Sequence, residues 1–205
     1  MTGERSIRLA TPADASAIAA IYAPFCTEAS AVSFEITPPD ATEMAQRIER
    51  VGATYPWLVA ELDGSVAGYA YASPHHERAA YRWAVNVALY VGAKQRGRGV
   101  GRALYTSLFA LLRLSGVQRA CAGITLPNPS STAIHAAMGF VEVGVYHHIG
   151  YKAGAWHDVS WWELALIAPD GGAPAEPAPF PRIAGSAEAR AALRSGEAWI
   201  RARPA

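Results

Sequence analysis

An α+β fold is what this sequence predicts, and three observations carry the prediction. Helix-periodic stripes fall early in the chain, apolar runs joined by tight turns recur as mostly antiparallel strands, and one strand near the middle passes through a glycine turn into a helix. Residues 7–10 read as a short strand. Thr11-Pro12-Ala13-Asp14 then reads as a helix start, with a capping residue, a proline in the first turn and an early acid, and with Ile18, Ile21, Tyr22 and Phe25 as the apolar face. Met44, Ile48 and Val51 mark a second helix over about 39–51. Residues 57–62 and 66–72 form an apolar hairpin about Asp63-Gly64, a dipeptide that supplies the positive φ such turns require.

An irregular polar segment, Pro74-His75-His76-Glu77-Arg78, leads to a buried strand over 84–91 and to the glycine turn. Leu104, Leu108, Leu111 and Leu112 recur at helical spacing after that turn, and Gly116 ends the helix. Residues 119–125 read as a strand. Pro127-Asn128-Pro129-Ser130-Ser131 opens a further helix that stops at Gly139, and strands over 140–149 and 156–166 follow, joined by a turn around Lys152-Ala153-Gly154. From Ala168 the composition shifts to Pro, Ala and Gly, with a short helix over 186–200. The division expected is therefore a domain over 1–168 and, over 169–205, a linker and appendage that packs on the body or on a partner subunit.

Composition narrows the function classes. With 205 residues and 51% hydrophobic content the chain can bury one sizeable core. The net charge is only +1, so no global electrostatic argument favours nucleic acid or an anionic membrane. Cys26 and Cys121 read as reduced core residues, not a disulfide framework. The amino terminus lacks a signal-peptide pattern, and no apolar run approaches the ~20 residues of a membrane span. A cytoplasmic protein is the expectation. No His-Glu-x-x-His or paired-cysteine spacing occurs, so no metal site is expected.

Basic character is local to the turn Arg96-Gly97-Arg98-Gly99-Val100-Gly101-Arg102. Glycines let a backbone approach a phosphate closely, and the first N–H groups of a helix lack internal partners and lie at the positive end of its dipole. The turn is thus an anion cradle ringed by guanidinium groups. A P-loop needs Gly-Lys-Ser/Thr at the helix entry, and Gly101 is followed by Arg102 and Ala103. The glycines also miss the G-x-G-x-x-G register of a dinucleotide fold.

The pattern that does fit, R/Q-x-x-G-x-G/A, resembles the pyrophosphate-binding loop of acyl-CoA N-acyltransferases of the GNAT superfamily. Tyr55-Pro56-Trp57-Leu58-Val59-Ala60-Glu61, Leu126-Pro127-Asn128, Met138-Gly139-Phe140 and Trp156-His157-Asp158-Val159 further resemble the phosphinothricin N-acetyltransferase branch, over about residues 7–166. That branch acetylates amino acids such as phosphinothricin and methionine sulfoximine. The resemblance implies acetyl-CoA as cosubstrate, a small amine acceptor and a homodimer. It also implies that Leu89, Tyr90 and Val91 hold the pantetheine and thioester, that residues 96–101 (Arg96, Gly97, Arg98, Gly99, Val100 and Gly101) hold the diphosphate, and that Asn128 and Ser131 place the arm. His135, seven residues past Asn128, falls where the family has a side chain near the sulfur, usually Tyr. Phe34, His76, Arg78 and Tyr81 match substrate-contact positions; for Phe34 and Tyr81 plain packing is the alternative reading.

One departure changes the chemistry. The branch carries a Glu as general base on the central strand, and Asn86 stands there instead; the neighbouring Trp and basic residue of the family's loop have become His75 and His76. Attack on a thioester needs a neutral amine, and a free alkylamine has a pKa near ~10, so some group must take the proton. An amide side chain cannot, so Asn86 can position a water but is not itself the base. Either the base is His75, His76 or Glu77, or His135 through water, or the acceptor is a less basic amine such as a peptide α-amino group, or the chain binds acyl-CoA with weak turnover; taken separately, His75 and His76 read as solvent-exposed loop histidines. His135 is also suitably typed to protonate a leaving thiolate. His147 and His148, adjacent on a strand, are expected on opposite faces, and His157-Asp158 reads as satisfying a turn.

Overall fold

The computed structural model describes residues 4–168 and 171–202. Its centre is one seven-stranded sheet in the order β1-β2-β3-β4-β5-β7-β6, built from β1 (Arg5–Leu9), β2 (Trp57–Leu62), β3 (Ser65–Pro74), β4 (Ala84–Val91), β5 (Arg119–Thr125), β6 (Val141–Lys152) and β7 (Ala155–Ala165). The helices are α1 (Ala15–Tyr22), α2 (Ala41–Gly52), α3 (Val100–Leu114), α4 (Pro129–Ala137) and α5 (Ala187–Arg194). The predicted α+β fold is what forms. Among the described residues no helix is long and apolar enough to cross a membrane.

Every neighbouring pair is antiparallel except β4 and β5. That parallel pair is held only at Ala84–Arg119, Val85–Ala120 and Asn86–Cys121. Beyond it β4 stays with β3 to Val91, while β5 stays with β7 to Thr125, so the two strands part. Alternation along β4 sends Val85 and Val87 into the core beneath α3 and Tyr90 to the opposite face, against the α1–α2 cluster. Leu104, Leu108, Leu111 and Leu112, the predicted stripe of α3, are all fully buried, and Tyr105 lies among them.

The predicted first helix has a more constrained entry than its pattern suggests. Pro12–Asp14 is a 3-10 turn closed by a reciprocal Thr11–Asp14 cap, and α1 starts only at Ala15. The Asp14 carboxylate accepts from the Thr11 N–H at 2.8 Å and from two Arg8 nitrogens at 2.8 and 2.6 Å. Arg8 also reaches Glu61 at 2.7 Å, tying β1 to β2. Phe25, read as part of a helix face, falls in a second 3-10 turn, Ala23–Phe25.

Two differences from the sequence reading sit in the last hairpin. Lys152, read as part of the turn, instead ends β6 and is only 5% exposed, and its Nζ donates to the carbonyls of Ser33 (2.7 Å), Glu35 (2.8 Å) and Phe25 (3.3 Å). It staples the segment between α1 and α2 to the end of β6. His147 and His148 do not alternate simply, because the register shifts between Tyr146 and Gly150 and His148 has φ +49°. The His147 ring and the His148 N–H both reach Asp158, each at 2.8 Å.

The C-terminal segment packs on the body. Phe180, Ala189 and Ile200 join the core beneath the sheet, Ser107 of α3 donates to the Leu193 carbonyl at 2.7 Å, and Glu197 accepts the edge-strand N–H of Ile7 at 2.9 Å. Such an edge amide is otherwise a site for stray strand pairing.

Two predictions follow from these anchors. Arg8, with the Thr11 amide, holds the Asp14 carboxyl below the usual carboxylate range. Its stabilisation is therefore complete above the unfolded-state value near ~3.9 and is lost as pH falls through the lower folded value. Asp14→Asn should cost ~2 kcal/mol in urea unfolding at neutral pH, and progressively less as pH falls below the unfolded-state value and the wild-type carboxyl takes up its proton. Lys152→Met should cost ~3 kcal/mol in the same assay, because three buried or half-buried carbonyls lose their donor at once; a change under ~0.5 kcal/mol would contradict the staple.

Candidate active site

The glycine turn and the parted strands form one region. A cleft of about 490 Å³ is lined by Leu89, Tyr90 and Val91 at the end of β4, by Arg96, Gly97, Gly99, Val100 and Gly101 of the turn, and by Asn128, Ser131 and His135. A smaller space of about 90 Å³ between β4 and β5 shares the walls Leu89, Tyr90, Asn128, Ser131 and His135. Most of the residues marked in the sequence for the coenzyme are thus brought together.

The glycines are needed for different reasons. Gly97 (φ +75°) and Gly99 (φ +81°) take the left-handed conformation, and Gly99 caps α3. Gly101 has ordinary helical geometry, but a Cβ there would stand 2.8 Å from the Ile134 side chain, so its smallness lets the start of α3 meet α4. Arg96 lies over the Phe25 ring at 5.8 Å and Arg102 over the Trp199 ring at 3.6 Å, and neither pairs with a carboxylate among the described residues. Arg98 differs from its expectation: it does not line the cleft, and its guanidinium bonds Gln95 Oε1 and the Arg201 carbonyl.

Asn128 caps α4, its Oδ1 accepting the Ser131 N–H at 3.2 Å. His135 is 5% exposed. Its Nδ1 is 2.7 Å from the Ser131 carbonyl, which requires a proton on that nitrogen, and its Nε2 is 3.0 Å from the Tyr105 hydroxyl, which must then donate to it. Burial holds the imidazole pKa below its ordinary value. A neutral ring with both nitrogens engaged has no proton at hand for a departing thiolate, so this geometry does not support the donor role read from the sequence.

Asn86 and His75 form a pair. His75 Nδ1 and Asn86 Oδ1 are 2.9 Å apart, and Asn86 Nδ2 faces the Pro74 carbonyl at 3.4 Å. The carbonyl fixes the amide so that its oxygen meets the imidazole. That in turn puts the His75 proton on Nδ1 and leaves Nε2 with its lone pair. The His75 ring packs near Tyr81 (5.9 Å) and Trp161 (6.2 Å), and His76 lies 5.0 Å from Tyr81. The His76 ring accepts the Arg78 N–H at 3.3 Å. The exposed Arg78 guanidinium has no partner among the described residues. Phe34 stands apart from that group, against Gly150 and 6.3 Å from His157. His157 and Trp161 share one face of β7, so Phe34 and His75 mark two points along it.

Sequence reasoning missed Phe25, Val32, Gln95, Ser130 and Ile134 in the cleft wall. Arg102, read in the sequence as one of the arginines around the cradle, lines the cleft with them. Trp161, whose indole nitrogen is buried without a partner, sits where β7 passes His75, and no local pattern marks it.

Known proteins resemble this chain in sequence and in fold. Residues 7–161 match the family model described as the acetyltransferase (GNAT) domain. The phosphinothricin N-acetyltransferase of Streptomyces viridochromogenes is 39% identical over 171 residues, covering 83% of this chain and 93% of that one. The L-methionine sulfoximine/L-methionine sulfone acetyltransferase of Salmonella typhimurium is 32% identical over 168 residues, covering 80% and 98%. The crystal structure of a GNAT superfamily phosphinothricin acetyltransferase from Sinorhizobium meliloti in complex with AcCoA superimposes with a TM-score of 0.79 at 35% identity, covering 87% and 96%. On the fold, the cleft and these likenesses together, the chain belongs to the GNAT family and is an acetyl-CoA dependent N-acetyltransferase.

Proposed function

We propose that the acceptor is the amino group of a small amino-acid-like molecule such as phosphinothricin or methionine sulfoximine, and that acetyl passes to it directly. The observation that carries the reading is the Arg78 guanidinium, exposed and without a partner among the described residues, on the segment whose main-chain N–H meets the His76 ring, which in turn lies 5.0 Å from Tyr81; such a fork suits an acidic group on the acceptor. The relatives named above, whose names specify such substrates, support it.

The residues present fit the donor. Positive-φ glycines, the N-terminus of α3, and Arg96 and Arg102 without carboxylate partners suit a diphosphate. The main chain of β4 from Val87 onward, no longer paired with β5, suits the amides of a pantetheine arm, with Leu89 and Val91 facing it and Asn128 and Ser131 along its path. When bound, acetyl-CoA supplies an acetyl group activated as a thioester, whose C–S bond breaks as the C–N bond forms. His75 Nε2 takes the amine proton. Asn86 holds His75 in the tautomer that can do so and is not itself the base, and the thiolate takes its proton from solvent.

Arg78 and Tyr81 are exposed, and Tyr81 is 43% so. That openness favours a second reading, transfer to a peptide α-amino group. A homodimer, also part of the proposal, would reconcile exposure with a small acceptor: edge strand β6 leaves Val141, Val143, Tyr146, Ile149 and Tyr151 each more than half exposed, an edge a second copy would cover.

Thiol release from acetyl-CoA should be seen with phosphinothricin, methionine sulfoximine or methionine sulfone, and not with short peptides or polyamines; release with peptides alone would overturn the small-amine reading. His75→Gln should lower kcat ~100-fold with the KM for acetyl-CoA unchanged, the usual size of a lost general base. A kcat within about two-fold of wild type would place the proton acceptor elsewhere.

A further inference from the structure

The family match ends at residue 161, yet the C-terminal segment reaches back to the coenzyme loop. The Arg201 N–H donates to the Arg98 carbonyl at 2.8 Å, and Arg98 Nε donates to the Arg201 carbonyl at 3.3 Å. A trans peptide is planar with its C=O and N–H pointing oppositely. Turning the Arg98 carbonyl toward the segment therefore aims the Gly99 N–H away from it, on the side of the loop left to the cleft that Gly99 lines.

Contact is close enough to constrain the loop's sequence. A Cβ on Gly99 would stand 2.0 Å from the Trp199 carbonyl oxygen, and one on Gly196 would stand 1.9 Å from the Ala103 carbonyl oxygen. Gly99 is thus bound twice, by its left-handed φ and by the segment behind it. The Trp199 indole lies under the Arg102 guanidinium at 3.6 Å, a stacked arrangement that leaves the N–H edge of a cleft-lining arginine available. The strap is itself anchored. The Gly196 N–H donates to Ser107 Oγ at 3.1 Å and Arg5 donates to the Ile200 carbonyl at 2.9 Å, so one end is fixed to α3 and the other to β1.

We propose that residues 196–201 form a built-in strap that presets the coenzyme loop, with Trp199 as a positioning residue that acts through Arg102 on the phosphates of the donor. The inference rests on the coenzyme reading of this cleft. It separates two parts of donor recognition: the pantetheine arm, read by β4 and α4, does not depend on the strap, whereas the phosphates do.

Acetyl-CoA and acetylpantetheine, which lacks the phosphates, distinguish these parts. Trp199→Ala should raise the KM for acetyl-CoA about five-fold, in line with loss of a stacked cation, while kcat and the KM for acetylpantetheine stay at wild-type values. Trp199→Phe should restore most of the loss. Equal effects on both donors, or an unchanged KM for acetyl-CoA in a folded Trp199→Ala protein, would overturn the strap. Arg201→Pro removes the N–H that holds the Arg98 carbonyl, and the extended conformation of Ile200 accommodates a following proline. Amide hydrogen exchange across 97–101 in the absence of donor should be faster in this variant than in wild type, and unchanged exchange would count against the strap. If wild-type protein shows no preference for acetyl-CoA over acetylpantetheine, the coenzyme reading itself fails, and the exchange result still decides whether the strap orders the loop.

Discussion

The parting of β4 from β5 is the constraint on which the rest of this molecule depends. A parallel pair continued to Val91 and Thr125 would satisfy its main chain internally; here pairing ends at Asn86–Cys121. Backbone polar groups past that point must find another partner, and an extended molecule carrying amides is one that fits between two strands. The opening exists because each strand is committed elsewhere, β4 to β3 and β5 to β7. α3, packed by Leu104, Leu108, Leu111 and Leu112, brings its N-terminus to the mouth of the opening. The shape of the opening is thus a consequence of sheet topology.

Charge is placed locally. The chain is close to neutral overall, so attraction for an anion comes from a helix N-terminus and from arginines kept free of carboxylates by stacking on Phe25 and Trp199. The acceptor side follows a similar economy. An amide at position 86 removes the charge a carboxylate would bring to β4, and in the function proposed above the proton acceptor is His75, whose Nδ1 meets the Asn86 amide oxygen. The buried His135, neutral and engaged on both nitrogens, serves the wall of the cleft.

Local pattern made much of this legible. The stripe of α3, the hairpin about Asp63-Gly64 and the glycine turn each depend on residues close in sequence, and each lies where periodicity and turn chemistry put it. What escaped the reading depends on distant partners. Lys152 is buried because three carbonyls some 120 residues away converge on it. The bulge in β6 overrides alternation at His147 and His148, and Trp161 meets His75 only because β7 lies beside β5. Gly99 was read as a glycine for a phosphate; the room behind it is taken by a carbonyl one hundred residues later in the chain. Motifs report local requirements, and long-range packing decides which side of a residue is used.

A crystal structure of the protein with acetyl-CoA tests the central claim most directly. The account predicts the diphosphate on the main-chain amides of residues 97–101, the pantetheine arm between β4 and β5, and the thioester on the side of the sheet where His75 meets Asn86. Coenzyme density outside the cleft, or a β5 that closes onto β4 when the donor is present, would contradict it.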